Sequence, residues 1–264
     1  MSHRTVKKTV YATGFCIVVL GVLFAIALPF FRNTDEGGQL TDAGPSYVPI
    51  VLEQVVAIPH IEKPGPKGKT VDIVARLRNE NARAGTGVYP VIFALKDKAG
   101  AIVQQIKEDV YVLPGGSQYL VALDVPIPPD KGLGGVEVTP PTSVNLIPLP
   151  DNARLPDFSV FLRNRTQRTV GSYQLEQQTG VVTNNSTFDW EKVEVTGVAL
   201  DASGAIVGVG KTFVGKLLIG EQREFTLQWP VPDVSTTRVV ALATTNIYSD
   251  ENIVHIIGDP STLR

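Results

Sequence analysis

The sequence predicts an all-β protein: two tandem β-sandwich domains preceded by a single N-terminal transmembrane helix. Three observations carry that reading. One stretch of the chain is written twice, 104 residues apart, which implies two domains of about a hundred residues each. Apolar and polar residues alternate at the two-residue period of strands. Residues 9–31 form one uncharged, almost wholly apolar run.

The apolar run comes first in the chain. As a helix it is long enough to cross a bilayer core of about 30 Å. It also exceeds the roughly 7–15 apolar residues of a signal peptide. Arg4, Lys7 and Lys8 precede it, and Arg32, Asp35 and Glu36 follow. Positive charge on the short side places residues 1–8 in the cytoplasm and everything after the helix outside it, in the cell envelope. A second reading stays open. Ala25-Ile26-Ala27 has the form of a signal-peptidase site, and cleavage near Ala27 gives a secreted protein. Residues 32–46 are rich in Gly, Asp and Thr and read as a flexible stalk. The single cysteine, Cys16, lies within the apolar run, so the exported part is expected to fold without disulfides. Lys+Arg 24 against Asp+Glu 26 leaves a net charge of −2, which gives no basic surface for nucleic acid.

The repeat follows. Asp97-Lys98-Ala99-Gly100-Ala101-Ile102-Val103 returns 104 residues later as Asp201-Ala202-Ser203-Gly204-Ala205-Ile206-Val207. The match runs on through Lys107/Lys211, Leu113/Leu217, Gly116/Gly220, Leu123/Leu227 and Pro126/Pro230. In D-x-x-G, the Asp side chain accepts hydrogen bonds from backbone N–H groups further along the turn and Gly supplies a positive φ. Ala-Ile-Val then starts the returning strand. Gly116 and Gly220 read as further turns, and the prolines that follow end a strand because they cannot donate to a ladder.

The strand signal fills both copies. Val71, Ile73, Ala75 and Leu77 alternate with Asp72, Val74, Arg76 and Arg78, and Phe225, Leu227 and Trp229 alternate with Thr226 and Gln228. Each pattern suits a sheet with one buried face. Several short antiparallel strands per hundred residues indicate sandwiches of immunoglobulin-like type. The expected division is sandwich 47–140, a proline-rich linker 141–154, a second sandwich 155–258 and a tail 259–264.

The second copy opens with Gly180-Val181-Val182-Thr183-Asn184-Asn185-Ser186. It continues through Val193 to Leu200-Asp201, then Gly204-Ala205-Ile206-Val207, then Leu218-Ile219-Gly220-Glu221 before Phe225. This resembles the FxLYD-type immunoglobulin-like modules of bacterial envelope proteins. The first copy is a weaker match, with Leu95-Lys96-Asp97, Pro114-Gly115-Gly116 and Val121 at the later positions. The resemblance implies accessory binding or spacer domains, with no catalytic residues to transfer.

Candidate chemistry is sparse. Gly210-Lys211-Thr212 lacks the first glycine of a phosphate loop, which is Ala205 here, and Lys211 reads as a solvated strand lysine. His3, His60 and His255 have no metal-ligand spacing, and no G-x-S-x-G elbow exists. Asp250-Glu251-Asn252 reads as a solvated loop rather than a calcium site. No cofactor, metal or catalytic residue is expected. The loop 184–190 holds two aromatics in a polar stretch, which gives Phe188, Trp190, Asn184 and Asn185 as candidate partner contacts. The competing reading has Phe188 or Trp190 capping the core where the strand begins.

The expectation is a non-enzymatic protein, anchored through residues 9–31, whose domains bind an envelope protein or glycan or act as a spacer. Alternatives are a structural subunit of a membrane complex and, less favoured by the residues, an envelope hydrolase.

Overall fold

The computed structural model describes residues 46–60, 69–141, 145–171, 173–232 and 234–254. The expected membrane helix, nearly all of the stalk and the tail lie outside the described residues. Among the described residues no helix is long and apolar enough to cross a membrane. The part from Tyr47 on forms one compact unit.

That unit is all-β. Its strands are β1 (Val51–Pro59), β2 (Thr70–Asn79), β3 (Ala84–Lys96), β4 (Ile102–Val112), β5 (Gly116–Pro126), β6 (Gly135–Thr139) and β7 (Ile147–Pro148). They continue with β8 (Phe158–Val170), β9 (Tyr173–Asn184), β10 (Trp190–Leu200), β11 (Ile206–Leu217), β12 (Gln222–Pro230) and β13 (Arg238–Thr244). A short 3-10 turn covers Asp250–Asn252. Four antiparallel sheets result. β1-β2-β5 and β4-β3-β6 make one pair, with β7 beside β3; β12-β9-β8 and β11-β10-β13 make the other.

Each pair closes on its own core, as in a β-sandwich. Val71, Ile73, Ala75 and Leu77 of β2 meet Val91, Phe93 and Leu95 of β3 in the first. Val193 and Val195 of β10 meet Phe225, Leu227 and Trp229 of β12 in the second, with Trp190 and Leu217. Full burial of each such side chain contributes about 1.5–3 kcal/mol.

The duplicated turn has one geometry in both copies. Asp97 Oδ1 accepts the N–H groups of Ala99 and Ala101 at 2.9 and 3.0 Å, and Asp201 Oδ1 accepts those of Ser203 and Ala205 at 2.8 and 2.9 Å. Gly100 and Gly204 both sit at φ +85°. In the second copy the Ser203 hydroxyl adds a bond, and these donors hold the Asp201 carboxyl below its ordinary pKa.

The outer face of β2 was expected in water, yet Val74 is buried. A third apolar cluster explains it: Val74 and Val121 of the first pair pack against Val198, Ile206 and Val209 of the second. Tyr111 Oη and Thr244 Oγ1 bond across the same boundary at 2.9 Å, and Tyr248 Oη donates to the Ile147 carbonyl at 3.2 Å.

The connecting segment is laid against the first pair. Leu146 is buried in its core, β7 pairs with Ala84 and Gly85, and Leu149 N–H donates to the Arg83 carbonyl at 2.8 Å. The Arg83 guanidinium donates to the carbonyls of Pro150 and Ala153. The second copy repeats this path: Ile253 bridges to Trp190, and Val254 N–H donates to the Asp189 carbonyl at 3.0 Å.

Candidate functional site

The loop 184–190 is built around a buried amide. Asn184 Nδ2 donates to the Phe188 carbonyl at 2.8 Å and to the Leu217 carbonyl at 3.1 Å. Asn184 Oδ1 accepts the Ser186 N–H at 3.0 Å and also the Ser186 hydroxyl. Ser186 Oγ accepts Trp190 Nε1–H at 2.8 Å. The first copy has the same lock: Asn79 Nδ2 donates to the Ala84 and Leu113 carbonyls at 2.7 and 2.8 Å, and Asn79 Oδ1 accepts the N–H of Asn81 at 3.0 Å. Leu113 and Leu217 lie 104 residues apart, so the lock belongs to the repeat.

This separates the four candidate contacts. Asn184 and Trp190, 0 % and 2 % exposed, are taken up by the fold, because the lock and the core occupy their polar atoms and rings. Phe188 remains 38 % exposed, its ring 5.8 Å from that of Trp190. Asn185 is exposed, and its Nδ2 donates to Ser159 Oγ at 2.7 Å. The contact expectation therefore narrows to Phe188 and Asn185.

Two residues missed in the sequence join Phe188. Leu218 and Ile219 are 41 % and 57 % exposed. Their turn is tied to the same loop, with Ile219 N–H donating to Asp189 Oδ1 at 2.6 Å and Gly220 N–H to the Asn184 carbonyl at 2.8 Å. Glu221 Oε2 accepts the Leu218 N–H at 2.9 Å. That bond, then Arg223, holds the Glu221 carboxyl below its ordinary pKa. The signal was present as two apolar residues before a turn Gly, but turn chemistry accounted for the segment. Near the corresponding turn of the first pair, Leu155, Pro156 and Thr244 line a cavity of about 260 Å³ together with residues 113–118.

A cleft of about 470 Å³ lies between the sheet pairs, lined by Glu108, Asp109 and Tyr111 on one side and Lys192, Glu194 and Phe213 on the other. Lys192 Nζ sits 3.9 Å from the Phe213 ring centroid and Lys211 Nζ 5.9 Å. Burial, then the charge of Glu194, raises the Tyr111 pKa. Lys211 is thus a mid-strand residue of β11, beside Gly210, where an added Cβ would meet the Gln228 backbone at 2.7 Å. Asn252 is also structural: its Oδ1 accepts the Lys192 N–H at 2.9 Å. The buried Glu176 accepts hydrogen bonds from Trp229 Nε1 and Thr236 Oγ1, at 2.8 and 2.6 Å.

A further group was invisible in the sequence. His60 Nε2 lies 2.9 Å from Asp72 Oδ2, and its Nδ1 lies 2.7 Å from Thr70 Oγ1 and 3.7 Å from Asp124 Oδ1. Thr70 and Asp72 share one face of β2, but only the β1–β2 pairing brings His60 to them, and Asp124 comes from β5.

No known protein family matches the chain, and no curated protein does. Among solved structures, a red sea bream transglutaminase is similar at 12 % identity and a TM-score of 0.20, over 74 % of this chain and 31 % of that one. The chain thus spans about a third of that structure's length, and a likeness this low carries no argument.

Proposed function

We propose that the chain is a non-enzymatic, single-pass membrane protein, anchored through residues 9–31, whose two immunoglobulin-like sandwiches project outside the cytoplasm. A protein partner docks on the end formed by Phe188, Leu218 and Ile219. One observation carries the reading. At the equivalent positions of the first sheet pair stand Ala84, Pro114 and Gly115, which offer no large exposed apolar side chain, whereas here Phe188, Leu218 and Ile219 face solvent on a loop fixed by the asparagine lock. Preformed apolar anchors reduce the ordering cost of binding. The repeated sheet order supports the immunoglobulin-like assignment, and the charge step around residues 9–31 supports the orientation.

The test places a photo-crosslinking side chain at Phe188 or Ile219 of the full chain in its native membrane, with exposed Val170 as the control. A discrete protein adduct from the first two positions alone is expected. The same adducts from Val170, or none from any position, would overturn the assignment. The double substitution Phe188→Ser with Ile219→Ser should remove the adduct captured by a probe at Leu218, with the unfolding midpoint little changed.

The apolar seam also favours a spacer role, since it couples the two sandwiches into one unit. If Val198→Asp leaves function in the membrane intact, that role is excluded.

A further inference from the structure

His60, Asp72 and Asp124 meet at one end of the sheet β1-β2-β5, each from a different stretch of chain. One ligand atom from each lies within 4.8 Å of the others. Asp72 and His60 are buried, whereas the Asp124 carboxylate is 81 % exposed. A β-bulge puts Asp124 there: Val71 pairs with Val125 but Ile73 pairs with Ala122, so β5 carries an extra residue opposite Asp72. Asp124 takes up the bulge at φ +53°, and its N–H donates to Asp72 Oδ1 at 2.8 Å. The equivalent strand β12 pairs with β9 without such a shift, so the cluster belongs to the first copy alone.

The charges do not balance. Two carboxylates face one imidazole, and among the described residues no lysine or arginine bridges either carboxylate. A buried carboxylate in that position calls for a cation. We propose that His60, Asp72 and Asp124 bind a divalent transition-metal cation, with zinc the best fit. A donor set of one imidazole nitrogen and two carboxylate oxygens suits zinc or manganese. Calcium and magnesium prefer oxygen alone, and no thiolate is present for softer metals. The 2.9 Å between His60 Nε2 and Asp72 Oδ2 is compatible with two ligands each about 2.0–2.2 Å from a shared ion.

The neighbouring hydroxyl completes the arrangement. Thr70 Oγ1 lies 2.7 Å from His60 Nδ1, and in the tautomer that carries the proton on Nδ1 this hydroxyl accepts it and the Nε2 lone pair is turned to the metal. Asp124, on the exposed side, supplies the third ligand by side-chain rotation, and water fills the remaining positions. The ion ties β1, β2 and β5 together.

The full chain, stripped with a chelator, is titrated with zinc by calorimetry and with cobalt(II) by visible absorption. One saturable equivalent is expected, with ligand-field bands for cobalt and a rise in unfolding temperature with zinc. Asp124→Asn, which changes an exposed side chain, should weaken binding by about tenfold or more, as should His60→Gln. No saturable binding would overturn the site. So would binding as strong in both variants as in the unaltered chain, which would place the metal elsewhere.

Discussion

Removal of the Asn184 amide is the sharpest test of how the second sandwich end is held. Asn184→Ala leaves the buried Leu217 carbonyl without its donor, the Ser186 N–H without its acceptor, and the Phe188 carbonyl with only a long 3.4 Å contact from Ser186 Oγ. Each buried polar group left without a partner costs about 1–3 kcal/mol. Phe188 is exposed, so water reaches its carbonyl and that cost is small. Two full penalties and a small cavity come to roughly 3 kcal/mol. With a urea slope near 2 kcal/mol/M, the unfolding midpoint falls by about 1.5 M. Asn79→Ala should cost at least as much, because its amide serves the carbonyls of Leu113 and of the buried Ala84. Asn185→Ala, one residue along but exposed, should stay within about 0.5 kcal/mol. A loss below about 1 kcal/mol for Asn184→Ala, or one no larger than for Asn185→Ala, would refute the lock.

Val198→Asp places a charge in the seam, and calorimetry should then resolve two unfolding transitions where the unaltered protein shows one; an unchanged single transition argues against the seam. Gly204→Ala, forced to φ +85°, should cost about 1–2 kcal/mol by urea unfolding, with Gly100→Ala matching it; no loss at either would mean the turn tolerates a side chain. Because the folded Asp201 carboxyl titrates below its ordinary value, its contribution to stability is present above roughly pH 4 and disappears as pH falls through the lowered folded value. Asp201→Asn should therefore flatten the acid limb of the stability curve, and an NMR titration of Asp201 should show the lowered midpoint; a midpoint at the ordinary value would contradict the turn geometry.

Asp97, Gly100, Asp201 and Gly204 were legible because every partner lies within four residues. Asn184 was flagged for the wrong reason. Its role depends on the Leu217 carbonyl, 33 residues away, and no local pattern shows that the two converge. Phe188 was read with both outcomes open, and only its exposure separates it from Trp190. Leu218 and Ile219 were read only as part of a turn motif, which already explained the segment. His60 was dismissed on spacing, which detects metal ligands on one element and misses those delivered by three.

The sequence alone determined the all-β class and the repeated turns. These follow from side-chain alternation and from glycine and aspartate conformational preference, which act over a few residues. Only the tertiary structure decided which faces are wet. Val74 and Val198 both sit where alternation calls for solvent, and both are buried in the apolar cluster where the two sheet pairs meet. The same holds for the lock, the Phe188 end and the His60 cluster. Each is made of groups distant in the chain that become neighbours only when the sheets pair.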